Sequence, residues 1–478
     1  MAKSITIIGA GPAGYVAALQ AGAAGLHVNL VGTQDAGGTC LQRGCIPTKT
    51  LIASCEILEK CREAKQFGID IEGSIAVNWA SQRQRVDKVV GTMVGGINGL
   101  LTQRGIEQIP GRATLLDART VEIDGTTRLH SDTILLCTGS LPAVPPLFQI
   151  DGQRIATSDE ALQWDSLPAS LVIIGGGVIA CEFAFIFQSL GVDVSMIEAA
   201  DRPLPGEDKD ISTIIGREMR KRRIRFIPSA MVNNVETGAA AVSCYQDDRL
   251  LASGERALVA IGRRPNSDGL NLEHIGVQTG DRGEILVDSH MQTTVPGIYA
   301  AGDVTGQLML AHAASAQASL AVRHILGRKP APLVMENIPR VTFTRPEVAS
   351  VGLCEASARK RGIDVRCGSF DFRALGKAHA TGDIAGLVKV VANADNGELL
   401  GVHMVGAHCA EMIHEAAVIL ARKGSVEDIC RTVHAHPTLS EALHEAAESV
   451  FGAATHKPLV RNPTQDTVDE SCNRRLPV

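Results

Sequence analysis

Apolar and polar positions alternate in blocks along this chain. Ser4 to Ile8 is a short apolar run that ends in GAGPAG, passes into the alanine-rich stretch YVAALQAGAAGL and returns to a second apolar run, HVNLV. An apolar run of strand length, a helical stretch and another such run predict a βαβ unit with buried parallel strands. The same succession returns at LVIIGGGVIACEFAFIFQSLGVDVSMIEAADRPLP. One chain with two such units is expected to be α/β, with two Rossmann-like dinucleotide-binding domains. A further change of pattern near RVTFTRPEVASVG marks the start of a C-terminal α+β domain.

The glycines between strand and helix have separate tasks. Gly9 permits the tight turn, Gly11 lets the backbone approach a pyrophosphate, and Gly14 lets helix and strand pack closely. Gly175, Gly177 and Ala180 repeat the pattern 166 positions later. Each helix N-terminus would then face phosphates. The acidic position that follows differs between the two units. Glu198 stands 23 residues beyond Gly175, whereas Gly32 stands 23 beyond Gly9. A carboxylate accepts hydrogen bonds from a ribose 2′-hydroxyl and repels a 2′-phosphate, so the second unit is expected to take NAD and not NADP.

Composition narrows the partners. The 478 residues suggest about three or four domains. With 48 glycines and 3% aromatics, small-residue α/β packing is expected. A net charge of -6 argues against nucleic acid or an anionic membrane. No apolar run reaches the roughly 18 residues that span a bilayer, and MAKSITIIGAGPAG has no signal-peptide anatomy, so a cytoplasmic location is expected. Most of the 12 cysteines would there be reduced.

Two of those cysteines stand apart. In GGTCLQRGCIPTK, Cys40 and Cys45 are five positions apart, with Gly44 between them and Lys49 four residues further on. On a regular helix such Cα atoms lie roughly 8.6 Å apart, beyond the about 6.8 Å that a disulfide spans. A bond between them requires a break in the helix, which Gly44 can supply, and would be readily reduced. A helix beginning near Cys45 would put Lys49 on its face and favour the thiolate. Two buried free cysteines or half of a zinc site are the alternatives; no second C-x-x-C or nearby histidine cluster supports zinc.

These stretches, with AIGRRPN at 260–266, TTVPGIYAAGDVTG at 293–306 and HAHPTLSEAL at 434–443, resemble in order and over residues 4 to about 455 the flavoprotein pyridine nucleotide-disulfide oxidoreductases, above all those that oxidise dihydrolipoamide. The resemblance implies FAD at the first βαβ unit, with Asp303 on the ribitol and Met309, Leu310, Ala311 and His312 beside the ring. It further implies FAD contacts from Thr138, Gly139 and Ser140 and from the backbone of Ala113, and a nicotinamide-site glycine at Gly262. Lys49 and Glu182 would pair beside the flavin. The family usually holds the adenosine ribose with a glutamate where this chain has Gly32; Gln34, Asp35 or backbone groups would have to substitute.

HAHPTLSEAL supports two readings. Pro437 and Thr438 can open a helix, with T-x-x-E from Thr438 to Glu441 as a capping box. By the resemblance, His436 is instead the acid/base and Glu441 orients it. A dithiol reacts only as thiolate, so a base is needed, and an unperturbed histidine suits that role. Cys40 would exchange with substrate and Cys45 would face the flavin.

The resemblance therefore implies NAD-dependent oxidation of protein-bound dihydrolipoamide, with a lipoylated carrier of a 2-oxo-acid dehydrogenase complex or the glycine cleavage system as partner. It implies a homodimer in which the His436–Glu441 pair completes the partner's site. Expected domain limits are 1–148 for FAD, 149–272 for NAD, 273–341 returning to the FAD domain, 342–455 for dimerisation and 456–478 for a mobile tail. Val178 favours this activity over glutathione-type relatives, which commonly have tyrosine there. A mercuric reductase would want a vicinal cysteine pair near the C-terminus, where only Cys472 stands, and a soluble transhydrogenase can dispense with the reactive pair. A flavin-carrying subunit with lapsed catalysis is the alternative that Gly32 motivates. His403, His408, Cys409 and His414 fit no zinc spacing, and no metal is expected.

Overall fold

The computed structural model describes residues 3–33 and 35–457. Gln34 and residues 458–478, which include Cys472 and nearly all of the expected tail, lie outside them.

Ser4–Ile8 is the middle strand of a five-stranded sheet ordered Ile298–Ala300, Thr133–Leu136, Ser4–Ile8, His27–Gly32, Glu107–Pro110, with every neighbour parallel. The inner strands Ser4–Ile8 and Thr133–Leu136 are buried on both faces, which is why they are largely apolar, whereas the edge strand Glu107–Pro110 is mostly exposed. The helix Pro12–Ala23 begins at the proline, not at Tyr15, because a proline at the first helical position forfeits no hydrogen bond. It packs on Ala311–Ile325, where Ala17, Ala18 and Ala21 meet Ala314, Ala318 and Ala321 in one buried cluster. Gln20 Nε2 donates to Ser319 Oγ at 2.8 Å across this contact.

The second unit repeats the plan. Ser170–Ile174 is the middle strand of a parallel sheet ordered Arg225–Ile227, Asp193–Ile197, Ser170–Ile174, Arg256–Val259, Ile155–Ala156. Its helix, Val178–Ser189, is buried along nearly its whole length through Phe183, Phe185, Ile186 and Phe187. The third sheet is antiparallel, ordered Arg340–Thr342, Glu347–Gly352, Leu399–Gly406, Leu387–Asn393, Val365–Asp371, with the helices Cys409–Ala421 and Glu441–Val450 on it. Buried Lys389 ties this sheet to the second unit through Asp208 at 3.2 Å and Asp210 at 2.7 Å. Among the described residues no helix is long and apolar enough to cross a membrane.

Candidate active site

In an open parallel sheet a ligand crevice forms beyond the carboxyl ends of the strands, where strand order reverses. Gly9 sits there, on the crevice between Ser4–Ile8 and Thr133–Leu136. Its φ is +105°, and a Cβ on it would lie 2.1 Å from the Cys137 carbonyl oxygen. Gly14 has the same constraint, since its Cβ would meet the Gly9 carbonyl oxygen at 1.7 Å. Gly11 differs: nothing lies within 4 Å of its Cβ position, and it borders a cavity of about 1030 Å³.

That cavity reaches from Gly9, Gly11 and Gly32 to Cys40 and Cys45, then to Lys49 and Glu182. Thr138, Gly139, Ser140, Asp303 and the run Met309 to His312 also line it. Gly14, Ala113, Gly175, Gly177, Ala180, Glu198, Gly262, His436 and Glu441 do not.

The two cysteines come from two helices, Gly38–Arg43 and Cys45–Glu63, that meet at Gly44 with φ −142° and ψ −108°. This is the break that a five-residue spacing requires. Both cysteines line the cavity at this break. Cys45 is held down to about 7, chiefly by the Cys40 side chain and, against burial, by the Lys49 ammonium. The Cys45 side chain, then burial, push Cys40 far up. Of the two, Cys45 is the more readily ionised.

One turn further along, Lys49 Nζ contacts Glu182 Oε1 at 2.9 Å and Oε2 at 2.8 Å. Glu182 is 4% exposed and also accepts the Phe343 amide at 2.9 Å. Lys49 Nζ stands 4.6 Å from the centre of the Phe343 ring. Three parts of the chain are fastened at this one carboxylate.

Ser140 and Asp303 are joined as well. Ser140 Oγ donates to Asp303 Oδ2 at 2.5 Å and accepts from Arg263 Nε at 2.7 Å. Burial pushes the Asp303 carboxyl up, and the Ser140 bond and the Arg263 charge oppose it. Sequence reasoning missed Arg263, although it stands inside AIGRRPN; the strand Arg263–Pro265 pairs with Ser140–Pro142 and delivers it. The carbonyl of Gly262 accepts the Ala143 amide at 3.0 Å in the same ribbon. Phe343, which meets the pair through its amide and its ring, left no sequence signal.

At the second turn Gly175 has φ +117° and would collide with the Ala260 carbonyl oxygen, as Gly9 does with that of Cys137. Glu198 lies against this turn, its Oε2 2.9 Å from a Cβ built on Gly176, and its Oε1 accepts the Ala200 amide at 2.7 Å. Val178 and Ile179 carry the turn into the cavity. Beside Gly32 the cavity is lined by Thr33, Asp35 and Arg112. Ala113, next along, is buried in a hairpin strand.

His436 lies elsewhere. Its side chain is 77% exposed, and its Nδ1 meets Glu441 Oε1 at 2.9 Å. Glu441 Oε2 accepts the Thr438 amide at 2.9 Å. The helix starts at Glu441 with Ser440 before it, so Pro437 and Thr438 do not open it. The Thr438 hydroxyl is engaged by the Ala435 carbonyl and Ser440, which leaves it unable to cap. Of the other histidines, His403 is buried with Nε2 on the Leu353 carbonyl, and His414 borders the cavity. Among the described residues no group of three or more histidine, cysteine or acidic side chains could hold a metal.

Residues 3–318 match the family described as pyridine nucleotide-disulphide oxidoreductase, and residues 338–447 match its dimerisation domain. The chain belongs to the pyridine nucleotide-disulphide oxidoreductases. Among curated members of the family it is 39% identical to a dihydrolipoyl dehydrogenase of Bacillus subtilis (strain 168), over 95% of this chain and 100% of that protein. It is 40% identical to the dihydrolipoyl dehydrogenase of Chlamydia muridarum, over 95% and 98%. Among solved structures it resembles LpdA from Mycobacterium tuberculosis, with a TM-score of 0.88 and 31% identity over 93% of this chain and 99% of that one. It also resembles RclA, a HOCl-induced flavoprotein disulfide reductase from Escherichia coli, with a TM-score of 0.83 and 27% identity over 93% and 99%.

The lining fits the flavin dinucleotide expected of this pyridine nucleotide-disulphide oxidoreductase. The helix at Gly11 has no side-chain cap, so its first amides are left for phosphate, and Gly11 keeps the space in front of them clear. The helix at Gly177 is uncapped in the same way.

Proposed function

We propose that this protein is a dihydrolipoyl dehydrogenase that holds FAD in the main cavity, takes NAD at the Gly175–Gly177 turn and oxidises protein-bound dihydrolipoamide through Cys40 and Cys45. One observation carries this: Cys40 and Cys45 meet at a helix break, one turn from the Lys49–Glu182 pair, in the cavity that begins at Gly9 and Gly11. The dihydrolipoyl dehydrogenases of two bacteria, matching nearly end to end, support the activity.

FAD, when bound, accepts two electrons from a dithiol and NAD receives them. The chain supplies attack, charge and protons. With the two cysteines joined, a substrate thiolate attacks the Cys40 sulfur, and Cys45 leaves as a thiolate favoured by Lys49 and the helix N-terminus. The second substrate thiol then displaces Cys40 from the first, closing the substrate disulfide, and Cys40 takes up a proton. A base must deprotonate the substrate. His436 of the partner subunit is assigned this task, because its pair with Glu441 is exposed and lies off its own chain's cavity. Glu441 on Nδ1 fixes the tautomer and leaves Nε2 free.

Glu198 against the second turn supports NAD over NADP. The partner in this reading is a second copy of the chain for catalysis, and the lipoylated carrier of a 2-oxo-acid dehydrogenase complex or the glycine cleavage system as substrate. Gly32, on the cavity wall, keeps a second reading in view: a flavin-carrying subunit without dithiol turnover. Purified protein decides between them. A yellow preparation that reduces NAD with dihydrolipoamide supports the enzyme; a yellow one without dithiol turnover supports the second reading, and a colourless one that stays apo with added FAD overturns both.

A further inference from the structure

Glu441 has a counterpart one turn along its helix. Glu441 takes His436 Nδ1 on Oε1 at 2.9 Å and the Thr438 amide on Oε2 at 2.9 Å. Glu445 takes His456 Nδ1 on Oε1 at 2.6 Å and the His456 amide on Oε2 at 3.2 Å. Residues four apart share a helix face, so the two carboxylates that hold the histidines stand on one face of this helix.

The second pair is built and not incidental. Glu445 is 6% exposed, and an unpaired carboxylate there would carry a large desolvation cost. The chain turns back after the helix through Gly452, at φ +70°, to bring His456 to it. Lys457 pins the return, donating to the Ser369 carbonyl at 2.8 Å and to Ser449 Oγ at 3.0 Å. The His456 side chain is nevertheless 71% exposed. A buried carboxylate is used here to hold one solvent-facing imidazole, four residues along the helix from the carboxylate that holds the proposed base.

The charged groups around His456 are Glu441, Glu445 and Glu448 on the helix and Lys457 on its own segment. Glu448 is engaged by His444 at 3.3 Å. From the strand Val365–Asp371 beneath, the atoms that Lys457 reaches belong to uncharged Ser369. The Glu445 bond, then its charge, raise the proton affinity of His456 above that of an ordinary imidazole.

We propose that His456, held by Glu445, is a positioning residue for catalysis: an imidazole fixed four residues along the helix from the carboxylate that orients His436, which when protonated opposes a second positive charge on His436 and so keeps it ready as the acceptor, given that His436 is the base proposed above. No dithiol chemistry passes through His456 itself.

The test is the pH profile of kcat/KM for dihydrolipoamide in the FAD-loaded, full-length protein. His456→Asn keeps a donor where Nδ1 stood and removes the charge. Its acid limb is expected to move up by about half a pH unit, the effect of losing one solvent-screened charge. His456→Arg keeps the charge and is expected to retain the wild-type limb, and NADH-to-dye activity should be unchanged in both. His456→Gln reads the same limb should the asparagine variant fail to fold. An unmoved limb in the neutral variants, or an equal shift with arginine, overturns the proposal. If His436→Gln itself retains full dithiol turnover, the failure lies with the base assignment instead.

Discussion

Lys49 Nζ bridges both carboxylate oxygens of Glu182, at 2.9 and 2.8 Å, and thereby ties the cysteine helix to the helix of the second nucleotide turn. The two charges act on Cys45 in opposite directions: Lys49 lowers its proton affinity and Glu182 raises it. Lys49→Met is expected to move the first thiol ionisation of the reduced protein above about 7, and Glu182→Gln to move it below, as read from thiolate absorbance. Shifts of the same sign would contradict this. Lys49→Met should also cost about 3 kcal/mol of stability, because it leaves a buried carboxylate with only an amide partner.

His436→Gln is expected to slow dihydrolipoamide oxidation about a hundredfold or more, the usual range for a lost general base. NADH-to-dye reduction should change little. Equal slowing of both would remove His436 as the base. Mixing His436→Gln chains with Cys45→Ser chains should restore activity in heterodimers, since one of their two sites then holds both an intact Cys45 and an intact His436.

The glycines of the first turn separate folding from cofactor binding. Gly9→Ala forces a methyl into the Cys137 carbonyl at a φ of +105°, so poor yield of folded protein is expected. Gly11→Ala meets no protein atom within 4 Å and should fold normally. Its methyl stands where the pyrophosphate would approach, so FAD affinity should fall at least tenfold by fluorescence titration. A Gly11→Ala protein that binds FAD as tightly as wild type would place the cofactor elsewhere.

His434 Nε2 bonds Glu415 Oε2 at 3.3 Å, and this bond, followed by burial acting against it, leaves its proton affinity above the ordinary imidazole value. A raised folded value means that the stabilisation is fully present below about pH 6.5 and is lost as pH rises through the folded value. Glu415→Gln should therefore lower the melting temperature more at about pH 6 than at about pH 9. An equal loss at both would show that the pair contributes no proton-linked stability.

Much of the site was legible because local rules dictate it. A glycine that must turn out of a strand is visible as a glycine, and a five-residue cysteine spacing demands a break that Gly44 supplies. What escaped were pairings between segments distant in the chain: Arg263 with Ser140 and Asp303, the Phe343 amide on Glu182, and His456 on Glu445. None has a periodicity or a spacing to reveal it. The T-x-x-E pattern was half informative. Glu441 does reach back to the Thr438 amide, but its other oxygen holds His436, and the helix begins at Glu441.

The most direct measurement is titration of the FAD-loaded protein with NADH, with thiols counted by alkylation and mapped. Two new thiols at Cys40 and Cys45 are expected for each flavin, together with loss of dithiol turnover but not of dye reduction in Cys45→Ser. A protein that takes up reducing equivalents and exposes no thiol at either position would contradict the account.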